Sequence, residues 1–169
     1  LTDPASQINT IATATLSGLG ANTLYYASVR AVKPDSYASA FSAADSIATP
    51  THPPTPSFSN VAITTASISW PMPEGGASSF LVELSTDSAF NPLAISSTLA
   101  GSQPSLALTG LSGATSYYAR VASKNQAGVP ALSATISTFT QAHPPALAPT
   151  NLGAQPLSST QIAMTWEAN

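Results

Sequence analysis

The chain has 169 residues, more than one small domain of about 100 residues needs and fewer than two would use. Only 7% of its residues are charged, where about 25% is usual, and the four basic residues, Arg30, Lys33, Arg120 and Lys124, are scattered. A basic patch able to track phosphates is thereby excluded, a net charge of -3 is too small to steer partners, and the absence of cysteine excludes both a disulfide framework and a thiolate metal site.

With 26 Ser and 20 Thr beside abundant Ala, the surface must be covered by hydroxyls, small side chains and backbone. Such a cysteine-free, Ser/Thr/Ala-rich surface points to an exported, bacterial protein. No apolar run approaches the roughly 18 residues of a membrane span. The chain does not open on Met or on a basic-then-apolar signal pattern, so it reads as a piece of something longer.

In chain order, the first element is an alternating run, Tyr25, Ala27 and Val29, preceded by Leu16, Leu19 and Thr23. It is followed by a turn at Lys33-Pro34-Asp35-Ser36. Prolines then crowd the stretch from Pro50 through Thr51, His52, Pro53, Pro54 and Thr55 to Pro56, a semi-rigid linker because consecutive prolines fix φ and remove ladder donors. Period-two alternation resumes with Ala66, Ile68 and Trp70, then Phe80, Val82 and Leu84, then Leu106 and Leu108, then Tyr117, Ala119 and Val121. Turn signals separate these runs at Pro73-Glu74-Gly75-Gly76, at Gly110 and Gly113, and at Asn125-Gln126-Ala127-Gly128. A second linker, His143-Pro144-Pro145 with Pro149, precedes a last run of Ile162, Met164 and Trp166. No segment carries a 3.6-residue period, so the fold class is all-β with short strands.

Internal repeats decide the organisation. Leu16, Leu19, Thr23, Tyr25, Ala27 and Val29 recur 92 positions on (117 − 25) as Leu108, Leu111, Thr115, Tyr117, Ala119 and Val121. Ala66, Ile68 and Trp70 recur as Ile162, Met164 and Trp166, an offset of 96 (166 − 70), and His-Pro-Pro recurs at 52 and 143, an offset of 91 (143 − 52).

Three sets of residues then carry a resemblance: Ile68-Ser69-Trp70-Pro71-Met72-Pro73, Phe80-Leu81-Val82-Glu83-Leu84, and Leu111 through Thr115-Ser116-Tyr117-Tyr118-Ala119-Arg120-Val121 to Asn125 and Gly128. In this order they resemble a fibronectin type III module, and the likeness runs over essentially the whole chain. It implies tandem immunoglobulin-like β-sandwiches: residues 1–50 the C-terminal half of one module, 51–142 a complete module, and 143–169 the N-terminal strands of another. The first module departs from the pattern after Val29, where Lys33-Pro34-Asp35-Ser36 replaces the Asn-containing turn. Trp70 is expected to face the core, and Tyr25 and Tyr117, each two residues after a Thr at a strand start, match the tyrosine corner, whose hydroxyl bonds nearby backbone. Arg120 and Glu83 are expected as an exposed pair on neighbouring strands, worth about 0–1 kcal/mol.

Candidate chemistry is sparse. His52 and His143 stand in the same linker register with no third ligand type at metal-binding spacing, and no Gly-x-Ser-x-Gly elbow accompanies the many hydroxyls. Glu74 precedes Gly75-Gly76 in a tight turn rather than facing a second carboxylate. Acidic residues are too scattered for a calcium site, and the loop at 125–130 lacks Arg-Gly-Asp, so that adhesion route is absent. Thr49-Pro50-Thr51 and Pro54-Thr55-Pro56-Ser57 have the character of O-glycosylated stretches in otherwise plain spacers. No catalytic, cofactor-binding or metal residue is expected, and no cofactor.

The expected function is therefore a non-catalytic structural repeat segment of an extracellular or cell-surface assembly such as a filament, sheath or stalk, acting through module–module packing. Few surface charges mean little repulsion and little desolvation cost when faces meet. The expected partners are neighbouring modules or copies of the same protein, with cell-surface polysaccharide as a further candidate. Neither nucleic acid nor a membrane span is expected in this segment. The alternatives are spacer modules in a secreted carbohydrate-active enzyme, which flanking sequence would reveal, and an adhesin segment, disfavoured by loops with few aromatics or arginines.

Overall fold

A computed structural model gives the fold over residues 13–32 and 37–167. The first strands, β1 (Leu24–Ala27) and β2 (Asp45–Ala48), pair antiparallel. The central stretch builds eight strands: β3 (Ser57–Ser59), β4 (Thr65–Ser69), β5 (Ser79–Ser85), β6 (Ile95–Ala100), β7 (Ser105–Thr109), β8 (Ser116–Lys124), β9 (Pro130–Leu132) and β10 (Ile136–Phe139). The last two, β11 (Thr150–Ser158) and β12 (Gln161–Glu167), form a hairpin with two register irregularities. Among the described residues there is no helix, and hence none long and apolar enough to cross a membrane.

The central strands stack as two antiparallel sheets, β3-β4-β7 against β10-β8-β5-β6, with β9 also on β8. Alternation explains which side chains meet between them, because successive residues of a strand point to opposite faces. Ala66, Ile68 and Leu108 line the inner face of the first sheet, and Phe80, Val82, Leu84, Leu99, Tyr117, Ala119 and Val121 that of the second. All are buried, as is Trp70 just past β4, whose ring meets Phe80 edge-on with centroids 5.1 Å apart. Leu106 is half-buried against this core. The indole Nε1 of Trp70 is buried with no hydrogen-bond partner.

Beyond β8 the returning strand is broken. β9 pairs with residues 122–124 and β10 with residues 116–119, and between them Ser133 bridges the gap. Its backbone N–H donates to Val121 O (2.9 Å), while its hydroxyl oxygen accepts from Val121 N (2.9 Å) in place of a carbonyl.

The first unit repeats this chemistry atom for atom. Ser42 N donates to Val29 O and Ser42 Oγ accepts from Val29 N, as Ser133 does with Val121. Gly20 N donates to Tyr25 Oη (2.8 Å) and Ser112 N to Tyr117 Oη (2.9 Å), the two expected tyrosine corners. Thr49 Oγ1 accepts from Thr23 N and donates to Gly20 O, and Thr140 Oγ1 does the same with Thr115 N and Ser112 O. The turn expected to depart from the pattern, Lys33 to Ser36, lies outside the described residues; on either side of it Val32 and Ala38 form a β-bridge.

The units flanking the central sandwich expose apolar side chains. Tyr26, Val29 and Ile47 are exposed in the first. In the last hairpin Ile162, Met164 and Trp166, which align with Ala66, Ile68 and Trp70, are exposed as well, with no sheet opposite them among the described residues.

Candidate functional site

The residues weighed for chemistry do not come together. His52 is an exposed side chain whose carbonyl accepts from Ser123 Oγ (2.7 Å), and the His143 ring lies beside Gly113. Glu74 is exposed at the tip of the turn between β4 and β5. Among the described residues no three of His, Asp and Glu gather in a group that could hold a metal ion. Glu83 and Arg120 sit directly opposite each other on β5 and β8, joined at 2.6 Å, but the pair is less exposed than its outward positions imply. Phe90, itself buried, covers it, with the guanidinium 4.1 Å from the ring centroid. A cation over an aromatic face adds to the ion pair, and the cluster braces the sheet's outer face.

Where polar side chains do converge is the junction between the first unit and the central sandwich. Two turns of the sandwich reach it: residues 73–76 after β4 and residues 125–128 after β8. Gly75 and Gly76 both adopt positive φ, +74° and +70°, a conformation glycine holds without steric penalty. Gly75 needs its missing Cβ for a second reason, since an atom there would lie 2.6 Å from Ala21 O. Asn22 is also left-handed, with φ 49°, a conformation asparagine tolerates better than most residues. Its Nδ2 donates to Gly75 O (3.1 Å).

Asn125 is the centre of the joint. At 1% exposure it is fully enclosed, and both ends of its amide are used. Its Oδ1 accepts from Ala127 N (3.0 Å) and Val129 N (2.8 Å), fixing the turn after β8, while its Nδ2 donates across the junction to Ala48 O (3.2 Å) and Thr49 O (3.1 Å). Next to it, Gln126 Nε2 donates to Asn22 O (3.1 Å), and Thr51 Oγ1 donates to Gly76 O (2.9 Å). These bonds run from side-chain amides and hydroxyls to backbone carbonyls and involve no charged group. A buried polar group must find a partner or cost about 1–3 kcal/mol, so the donors on the buried Asn22, Thr51 and Asn125 specify one relative placement of the two units.

The stretch from Thr49 to Pro54 is therefore more than a plain spacer. Thr51 and Pro54 are buried, and the hydroxyls of Thr49 and Thr51 both donate to carbonyls; Thr55 and Ser57 are exposed. Sequence reasoning placed Gly75, Asn125 and Gln126 in turns without assigning them a joint, and it did not single out Asn22. The available signal was the pairing of a Gly-Gly turn with an Asn-Gln turn at one end of the same sandwich.

The fibronectin type III domain model matches residues 51–139. Among solved structures, a segment of two fibronectin type III domains from chicken tenascin is 24% identical over 73% of this chain and 67% of its own, with a TM-score of 0.56. The solution structure of the fn3 domain of human contactin 1 is 20% identical over 59% of this chain and 85% of its own, with a TM-score of 0.51. At these identities the likeness is one of fold. No curated protein sequence matches the chain. Buried tryptophan, tyrosine corner, three strands packed on four and the matched family model agree, and the chain belongs to the fibronectin type III domain family.

Proposed function

We propose that the chain is a tandem array, with residues 1–50, 51–142 and 143–169 belonging to successive modules, and that it serves as a non-catalytic structural segment of an extracellular or cell-surface assembly such as a filament, sheath or stalk. Domains of this family are commonly structural or adhesion modules of extracellular proteins and are generally non-catalytic. The tandem reading is supported by the recurrence of the tyrosine corner, the threonine clasp and the Ser–Val bridge 91 or 92 positions apart (140 − 49; 117 − 25).

The observation that carries the structural role is the joint centred on Asn125. A flexible spacer would leave the module ends solvated, whereas here amide and hydroxyl donors are spent on fixing one module against the next. Low charge supports end-to-end packing in the same way, since few ions must be desolvated when module ends meet. Residual dipolar couplings of the whole chain test this. Residues 13–32 and 37–50 should share one alignment tensor with residues 51–139, and independent tensors would sink the rigid-joint reading. Immunolabelling of intact source cells tests location, with strictly internal signal as the adverse result.

A further inference from the structure

We propose that β6 is the edge through which a second copy of this chain pairs antiparallel with the first, extending the run β10-β8-β5-β6 across a twofold axis into one sheet. The proposal rests on the assembly reading above and names the surface that lateral packing would use.

The two flanks of the central sandwich differ. On one, β3 lies against β10, and β9 begins on Pro130. On the other, β6 pairs only with β5 and β7 only with β4, and neither touches a further strand among the described residues. An edge strand leaves alternate N–H and C=O groups without a ladder partner and so offers a template to any incoming strand. Proteins ordinarily block such edges with lysine, proline, a bulge or a covering element.

β6 has none of these. It reads Ile95-Ser96-Ser97-Thr98-Leu99-Ala100, without charge or proline, and its register against β5 runs from Leu84↔Ile95 to Ser79↔Ala100 without a bulge. β7, Ser105-Leu106-Ala107-Leu108-Thr109, is equally bare. The charges lie instead on inner strands, Glu83 on β5 and Arg120 and Lys124 on β8, with Glu83 and Arg120 neutralising each other. This inverts the usual placement and leaves nothing on the flank to repel a like edge.

The occupant follows from self-complementarity. Ser96, Thr98 and Ala100 face outward and are exposed, Ile95 and Ser97 are half-buried, and Leu99 is buried. A twofold axis through Ser97 sets Ile95 opposite Leu99 of the second copy and Ser96 opposite its Thr98. Apolar then meets apolar on the core side and hydroxyl meets hydroxyl outside, the pairings that stabilise antiparallel strands.

The native chain has no cysteine, so Ser97→Cys introduces a single thiol. Opposed residues in an antiparallel pair have Cα atoms about 4.5–5.5 Å apart, within disulfide reach. Mild oxidation of the full chain should give a cross-linked dimer for Ser97→Cys and none for Ser57→Cys on β3 at the same concentration. In sedimentation equilibrium the cysteine-free chain should self-associate, and the double variant Ser96→Lys/Thr98→Lys, which sets lysines opposite lysines, should weaken association at least about tenfold with an unchanged melting curve. If the chain associates but Ser57→Cys cross-links as readily, or the lysine variant associates undiminished, β6 is the wrong surface while the assembly reading stands. If the native chain stays monomeric up to about 1 mM, association is weaker than about 4 kcal/mol and both readings fall.

Discussion

Trp70 is buried but its indole N–H bonds nothing, so its contribution to the core is nearly all apolar area and ring packing on Phe80. Trp70→Ala should therefore cost about 3–5 kcal/mol in urea unfolding, whereas Trp70→Phe, which keeps a ring and removes the orphaned donor, should cost well under half of that. Tyr117→Phe should cost about 1 kcal/mol, because only the bond from Ser112 N is lost while the ring stays in place. Both aromatics were legible in the sequence, since alternation and spacing put them inside. Asn125 was not, because an asparagine in a turn ordinarily signals local backbone geometry, and nothing local reveals that its other end crosses to Ala48 and Thr49. Asn125→Asp keeps the acceptor that holds the turn but sets a carboxylate against two carbonyls. In heteronuclear spectra the central sandwich should stay folded while amide shifts near Asn22 and Thr49 move towards those of a detached unit.

The turn after β4 gives a controlled comparison. Gly75 and Gly76 share nearly the same positive φ, so alanine at either strains the backbone by about 1 kcal/mol. At Gly75 the new methyl would also strike Ala21 O, while at Gly76 nothing lies within 4 Å. Gly75→Ala should therefore uncouple the first unit from the sandwich, seen as independent alignment tensors, and Gly76→Ala should not. Equal behaviour of the two variants would mean that the close approach of Gly75 to Ala21 does not hold the joint. Strands were readable where alternation is clean, as over Phe80–Leu84 and Tyr117–Val121, because alternation is a property of single strands, whereas β2, β3, β6 and β11 are too short or too polar to show it. The split of the last strand into β9 and β10 was not, since it depends on the Ser133 hydroxyl standing in for a carbonyl beside Val121.

Over the whole molecule, charge is scarce and the bonds of the joint are all between neutral groups. Solution scattering of the chain should therefore give the same radius of gyration at low salt and at about 1 M salt, where charge interactions beyond about 3 Å are screened. Contraction or expansion with salt would show that ionic contacts outside the joint set the shape. Residues recur in the sequence at offsets of 91 to 96 positions, but no offset predicts how the first strands are seated on the central sandwich. That seating depends on residues distant in sequence, such as Gln126 and Asn22. It also has a mechanical meaning. Tension along the backbone enters the central sandwich through Pro50 to Pro56, and the bonds from Asn125, Gln126 and Thr51 lie in parallel with that covalent path. They share the load with the linker from the start of extension, so pulling should open this seam before the central sandwich unfolds.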